Sequence, residues 1–119
     1  MSVALVGLLT QVSPVFAQAT SEAAMMQVVR ESNRCLLEET DRRVGGVTAL
    51  SDADRRSTRM AVADACYEYN ERLAAFSAEV RNGSKTAKEV GERFLADSLQ
   101  IADAAITTRL KANLEEKSP

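Results

Sequence analysis

Two thiols and one acidic run are the reactive groups that this 119-residue sequence sets at telling intervals. Cys35 and Cys66 are too far apart for a Cys-x-x-Cys redox centre, and two thiols without any histidine make a poor zinc site. Their reading depends on compartment, because an even, small cysteine count in an exported chain ordinarily ends as a structural disulfide. Asp64, Glu68 and Glu71 succeed one another at helical spacing. Such a row could supply a general acid and base, or oxygen ligands for a divalent cation. A solvated helix face accounts for the same row more simply, so a carboxylate-based, metal-dependent enzyme stands only as the alternative.

Other catalytic signatures are missing. Histidine and tryptophan are absent, none of Ser51, Ser57, Ser77 or Ser98 lies in a Gly-x-Ser-x-Gly turn, and Gly45-Gly46 is not followed by a phosphate-cradling Gly-Lys-Ser. No catalytic residue, cofactor or metal is therefore expected. The 17 acidic and 15 basic residues leave a net charge of −2 with no basic tail. Nucleic-acid binding draws on clustered Lys and Arg, so a nucleic-acid partner is not expected either.

The compartment is written at the N-terminus. Residues 1–19 carry no charged side chain and close on Ala17-Gln18-Ala19, the small-x-small pattern after which signal peptidase cuts. The apolar run Val3–Leu9 is about half a membrane span, and Pro14 interrupts the chain soon after it, so no permanent membrane anchor is expected. Thr20, not a lipid-accepting Cys, stands directly after the site. The missing feature is a Lys or Arg ahead of the apolar run. The expected organisation is a signal peptide over residues 1–19 and one α-helical domain over 20–119, periplasmic or secreted.

Three helical segments are expected after the cleavage site. The first covers about 21–43 and stops at Gly45-Gly46. The second opens with Ser51 and Asp54 in capping-box spacing and reaches Arg81 before Asn82-Gly83. Thr86 and Glu89 repeat the device for a third segment that ends near Glu116. Acidic residues four positions before Arg, as in Glu38/Arg42, Glu39/Arg43, Asp52/Arg56, Glu68/Arg72 and Glu89/Arg93, agree with helix throughout.

Apolar periodicity then sets the packing. Val62, Cys66, Tyr69, Leu73, Phe76 and Val80 trace an a/d seam along segment two, with Met60, Ala63, Tyr67, Ala74 and Ala78 as a second stripe. Segment three carries Val90, Phe94, Ile101 and Ala105 on one stripe and Leu95, Leu99, Ala102, Ile106 and Leu110 on the next. The fold class is all-α: a three-helix antiparallel bundle, or a helical hairpin plus a third helix. In a symmetric hairpin the two cysteines would stand at heights about 9 Å apart, whereas bridged Cα atoms lie roughly 4.4–6.8 Å apart. An intrachain bond is still expected, with helix one outrunning its glycines or the chain climbing after Ser51. An interchain bond and free thiols are the alternatives.

The expected function is protein–protein interaction: an accessory subunit of an envelope or secretion assembly, an inhibitor or immunity factor, or a chaperone, binding a protein partner or itself. The candidate partner-binding residues are the adaptable Met25 and Met26, the basic cluster Arg55, Arg56 and Arg59, and Leu95, Leu99 and Ile106 on the broad face of segment three.

Overall fold

The computed structural model describes the backbone of residues 14–118 and the side chains of residues 21–118. Most of the expected export signal, residues 1–13, lies outside the described residues. Helix α1 spans Pro14–Val44, α2 Asp52–Ala65, α3 Tyr67–Ala74, α4 Ala78–Arg81, α5 Ala87–Gly91 and α6 Leu95–Lys117, with a single 3₁₀ turn at Glu92–Phe94. No strand occurs among the described residues. The protein is all-α, as expected.

The local signals act where the sequence puts them. Gly46 ends α1 at φ +82°, a conformation that costs a residue without Cβ little. Ser51 Oγ accepts from Asp54 N at 3.1 Å to start α2, and Thr86 Oγ1 accepts from Glu89 N at 3.1 Å to start α5. Gly83, at φ +80°, turns the chain between α4 and α5.

Segment two departs from expectation, because it is three helices rather than one. The first break is at Cys66, whose backbone sits at φ −107°, ψ 10°. Residues 75–77 make the second, and there Ser77 Oγ accepts from Val80 N to cap α4. A serine that hydrogen-bonds the backbone locally competes with helix continuation. The breaks rotate the buried face. Val62, Ala63, Cys66, Asn70 and Ala74 are buried, while Tyr69, Leu73, Phe76 and Val80 are only partly so. The seam drawn for an unbroken helix holds at Val62 and Cys66 and fails beyond them.

The main core gathers Leu36 from α1, Val62 from α2, Cys66 at the first break and Ala102 from α6, with Tyr69 and Cys35 packed against it. Asn113, near the end of α6, meets Val44 at the end of α1, whereas Phe94 and Ile101 share a groove with Met25 and Val29. Helices α1 and α6 are therefore parallel. The layer formed by α2 and α3 runs against them, as Arg55 to Asp103 and Asn70 to Ser98 require.

Cys35 and Cys66 form an intrachain disulfide with Cα atoms 5.9 Å apart. Helix α1 does not outrun its glycines and α2 starts directly after Ser51. Cys35 lies nine residues before the end of α1 and Cys66 fourteen after the start of α2, an axial offset of about 7.5 Å. The non-helical stretch 47–51 takes up this offset by carrying the chain past the end of α1 before α2 turns back.

Candidate binding groove

The open side of the parallel pair α1 and α6 carries the most distinctive surface. Leu37 is 53% exposed, Ile101 38% and Met25 36%. Two hollows lie along it, meeting at Ile101. One, of about 460 Å³, runs between Leu37 and Asp41 of α1 and Ala104, Ala105, Thr108 and Ala112 of α6. Those small residues recur along α6 and lower its surface, so another element could approach its backbone closely. Arg109 reaches Asp41 at 3.7 Å across the hollow's far end.

The other hollow, of about 420 Å³, is walled by Met25, Val29 and Leu36 of α1, Leu73 of α3, and Phe94 and Ile101. Its lining also includes the polar residues Ser32, Asn70 and Ser98, all buried. Ser98 Oγ lies 3.2 Å from both Asn70 Oδ1 and the Phe94 carbonyl oxygen. Asn70, only 2% exposed, finds no acceptor for Nδ2 among the described residues.

The basic cluster is largely consumed by the fold. Arg55 Nε donates to Asp103 Oδ1 at 2.8 Å, and its guanidinium also donates to the Asp103 carbonyl and to Thr107 Oγ1. Arg59 approaches the same carboxylate at 3.9 Å. Arg55's hydrogen bond holds the Asp103 carboxyl below the usual carboxylate range, against the opposing effect of partial burial, with the nearby positive charges adding to the lowering. Two of the three arginines thus tie α2 to α6, and Arg56 alone stays well exposed.

Among the other candidates, Met25 and Met26 are exposed and Met25 lines the groove. Leu95 and Leu99 are partly buried. Ile106 is completely buried, so it is a core residue and takes no part in a surface. Among the acidic trio, Asp64 is on α2 while Glu68 and Glu71 are on α3, across the break at Cys66. Glu68 lies 3.7 Å from Arg72, and among the described residues no three Asp, Glu or Cys side chains are grouped for metal binding.

Sequence reasoning missed Asn70, Ser98 and Leu37. The signal for Asn70 was present: it stands four residues after Cys66 and four before Ala74, a polar side chain inside what becomes the buried row. Ser98 likewise stands four before Ala102. No family model matches the chain, and no curated protein or solved structure matches it.

Proposed function

We propose that this chain is a small exported helical protein that works by docking an amphipathic helix of a partner protein along the α1–α6 face. The observation that carries the reading is the exposed apolar row Met25, Leu37 and Ile101 beside the alanine-lined trough of α6. Two neighbouring parallel helices leave a furrow that a third can enter ridge into groove, and small residues on the floor let its backbone come near. Helix recognition of this kind needs apolar anchors and no reactive group.

Export is supported by the uncharged, peptidase-like N-terminus and by the Cys35–Cys66 bond, which persists in oxidising compartments. No helix among the described residues is long and apolar enough to cross a membrane. The mature chain begins at Thr20 on this reading, and the envelope of a bacterial cell is where its partner would be met.

Site-specific photocrosslinking in the native envelope tests the docking face. A crosslinker at Leu37 or Ile101 should give one discrete adduct that Leu37→Glu suppresses, while a crosslinker at Arg81 should give none. Equal labelling from all three positions, or none from any, would overturn the assignment. An adduct of twice the chain's mass would make the occupant a second copy and overturn the hetero-partner. Intact mass of the exported protein checks the start at Thr20.

A further inference from the structure

We propose that the Cys35–Cys66 bond is a reducible switch: a dithiol reductant opens it by attack at Cys35, and α2 and α3 then join into one helix that turns Tyr69 and Leu73 inward. This goes beyond the docking reading and does not depend on what occupies the α1–α6 face.

The break at Cys66 has no local cause. Sharp interruptions of a helix ordinarily come from proline, from paired glycine and serine, or from an inserted residue or side chain, and the run from Val62 to Asn70 contains no proline, glycine or serine. Ser51 caps the start of α2, and the next local stop signals are Ser77 and Gly83. What singles out Cys66 is its covalent tie to α1. Cys66 N donates to the Ala63 carbonyl at 3.3 Å and Tyr69 N to the Cys66 carbonyl at 3.2 Å, so the chain is tightened to three-residue spacing on both sides of the tie.

The tied arrangement buries a polar side chain and leaves apolar ones partly outside. Asn70 is inside, with Nδ2 closed to solvent and without an acceptor among the described residues, while Tyr69 and Leu73 of the apolar seam stay partly exposed. A buried donor without a partner is unfavourable, and so is apolar surface left in water. One helix from Asp52 to about Ala74 would relieve both by restoring the spacing Val62, Cys66, Tyr69, Leu73. The bond holds the break, and its loss releases it.

Attack comes from the Cys35 side. Cys35 is half-buried and lines a hollow of about 320 Å³ with Glu31, Arg34, Glu38, Glu39 and Tyr69, whereas Cys66 is 2% exposed. A thiolate of the reductant bonds to Cys35 Sγ, the bond between the cysteines breaks, and Cys66 leaves with the electron pair and takes up a proton. The reductant's second thiolate then attacks the reductant sulfur in this mixed disulfide, which frees Cys35 as a thiol and leaves the reductant as an intramolecular disulfide. Two electrons and two protons have passed to the protein.

Dithiothreitol, a neutral dithiol, tests the switch on the folded chain. After reduction, NMR contacts between Hα and HN four residues apart should appear from Asp64 to Glu68 and from Ala65 to Tyr69, where the oxidised protein gives none. Leu73→Ala should lower the urea midpoint further in the reduced protein than in the oxidised one. The Cys35→Ser, Cys66→Ser double variant should show the same contacts without reductant. Brief exposure to 2-mercaptoethanol, quenched in acid, should leave the adduct on the Cys35 peptide. An adduct on Cys66 would overturn the point of attack. Contacts that stay absent after reduction, or a reduced chain whose circular dichroism is that of an unfolded one, would make the bond a plain staple and overturn the switch. So would a reduction rate that rises with urea in step with unfolding, since attack at Cys35 needs none. None of these results bears on the crosslinks from Leu37.

Discussion

Asn113 closes the end of α1 from another helix: its Nδ2 donates to the Val44 carbonyl at 2.8 Å and to the Val47 carbonyl at 2.7 Å. The last carbonyls of a helix have no partner within it, and here the Val44 carbonyl accepts both from Asn113 and from the linker's own Val47 N at 3.1 Å, just past the turn at Gly46. Asn113 is 1% exposed, so its bond to Val44 is buried and that to Val47 partly so. One side chain thereby fixes the parallel ends of α1 and α6 and the start of the linker that makes room for the disulfide.

Asn113→Ala should destabilise the protein by about 1–3 kcal/mol, the cost of losing two sheltered side-chain hydrogen bonds. Asn113→Asp should be worse at neutral pH, since it keeps the shape but sets a carboxylate against two carbonyl oxygens. Urea unfolding curves would measure both. An aspartate variant as stable as the parent would remove the latch from the account.

The disulfide closes a long loop across the α1–α2 hairpin. Constraining the unfolded chain in this way is worth roughly 3–4 kcal/mol on the chain-entropy estimate. The Cys35→Ser, Cys66→Ser double variant should therefore unfold at markedly lower urea. Non-reducing mass spectrometry of the parent should give a monomer two hydrogens lighter than the reduced form, with one peptide joining Cys35 to Cys66.

Helix class, caps and stops were legible because they are local. Ser51, Thr86, Gly46 and Gly83 act on backbone groups within a few residues of themselves. The disulfide was legible from compartment and count, although its geometry was not, since the path of residues 47–51 depends on Asn113 far along the chain. The break at Cys66 was illegible in a periodicity that runs smoothly from Val62 to Val80, and missing it misplaced the buried row. Asn70 consequently fell off the assumed seam, and with it the polar floor of the groove. Arg55 and Arg59 looked like a surface cluster only while Asp103, on a distant helix, was out of view.

Burial ranks the core substitutions. Leu36→Ala and Ile106→Ala should each cost about 2–5 kcal/mol, the usual range for truncating a buried aliphatic side chain. Leu73→Ala, in the groove wall, should cost less because its side chain is partly open to solvent. Met60→Ala should change little at 41% exposure. Chemical denaturation of the four variants checks the order, and a Leu73 effect equal to that of Ile106 would restore the unbroken seam.

Acid should loosen the contact between α2 and α6. Arg55 holds the Asp103 carboxyl below its ordinary pKa, so the folded state binds that proton less readily than the unfolded chain, where Asp titrates near about 3.9. A group with a lowered folded pKa contributes its full stabilisation above the unfolded value and loses it as pH falls through the folded one. Asp103→Asn keeps an oxygen for Arg55 to donate to and removes the charge. The parent should therefore be more stable than this variant at neutral pH by a constant margin, and the margin should shrink below about pH 4. Glu39 and Glu79 are also lowered, first by hydrogen bonds from Arg42 and Arg93, but both are unchanged in the variant and drop out of the difference. Asp103 is partly exposed, which keeps the margin modest through solvent screening. Parallel urea titrations from pH 7 to pH 3 measure it. A margin that stays flat or widens in acid would mean that the Asp103 charge contributes nothing to holding α2 against α6.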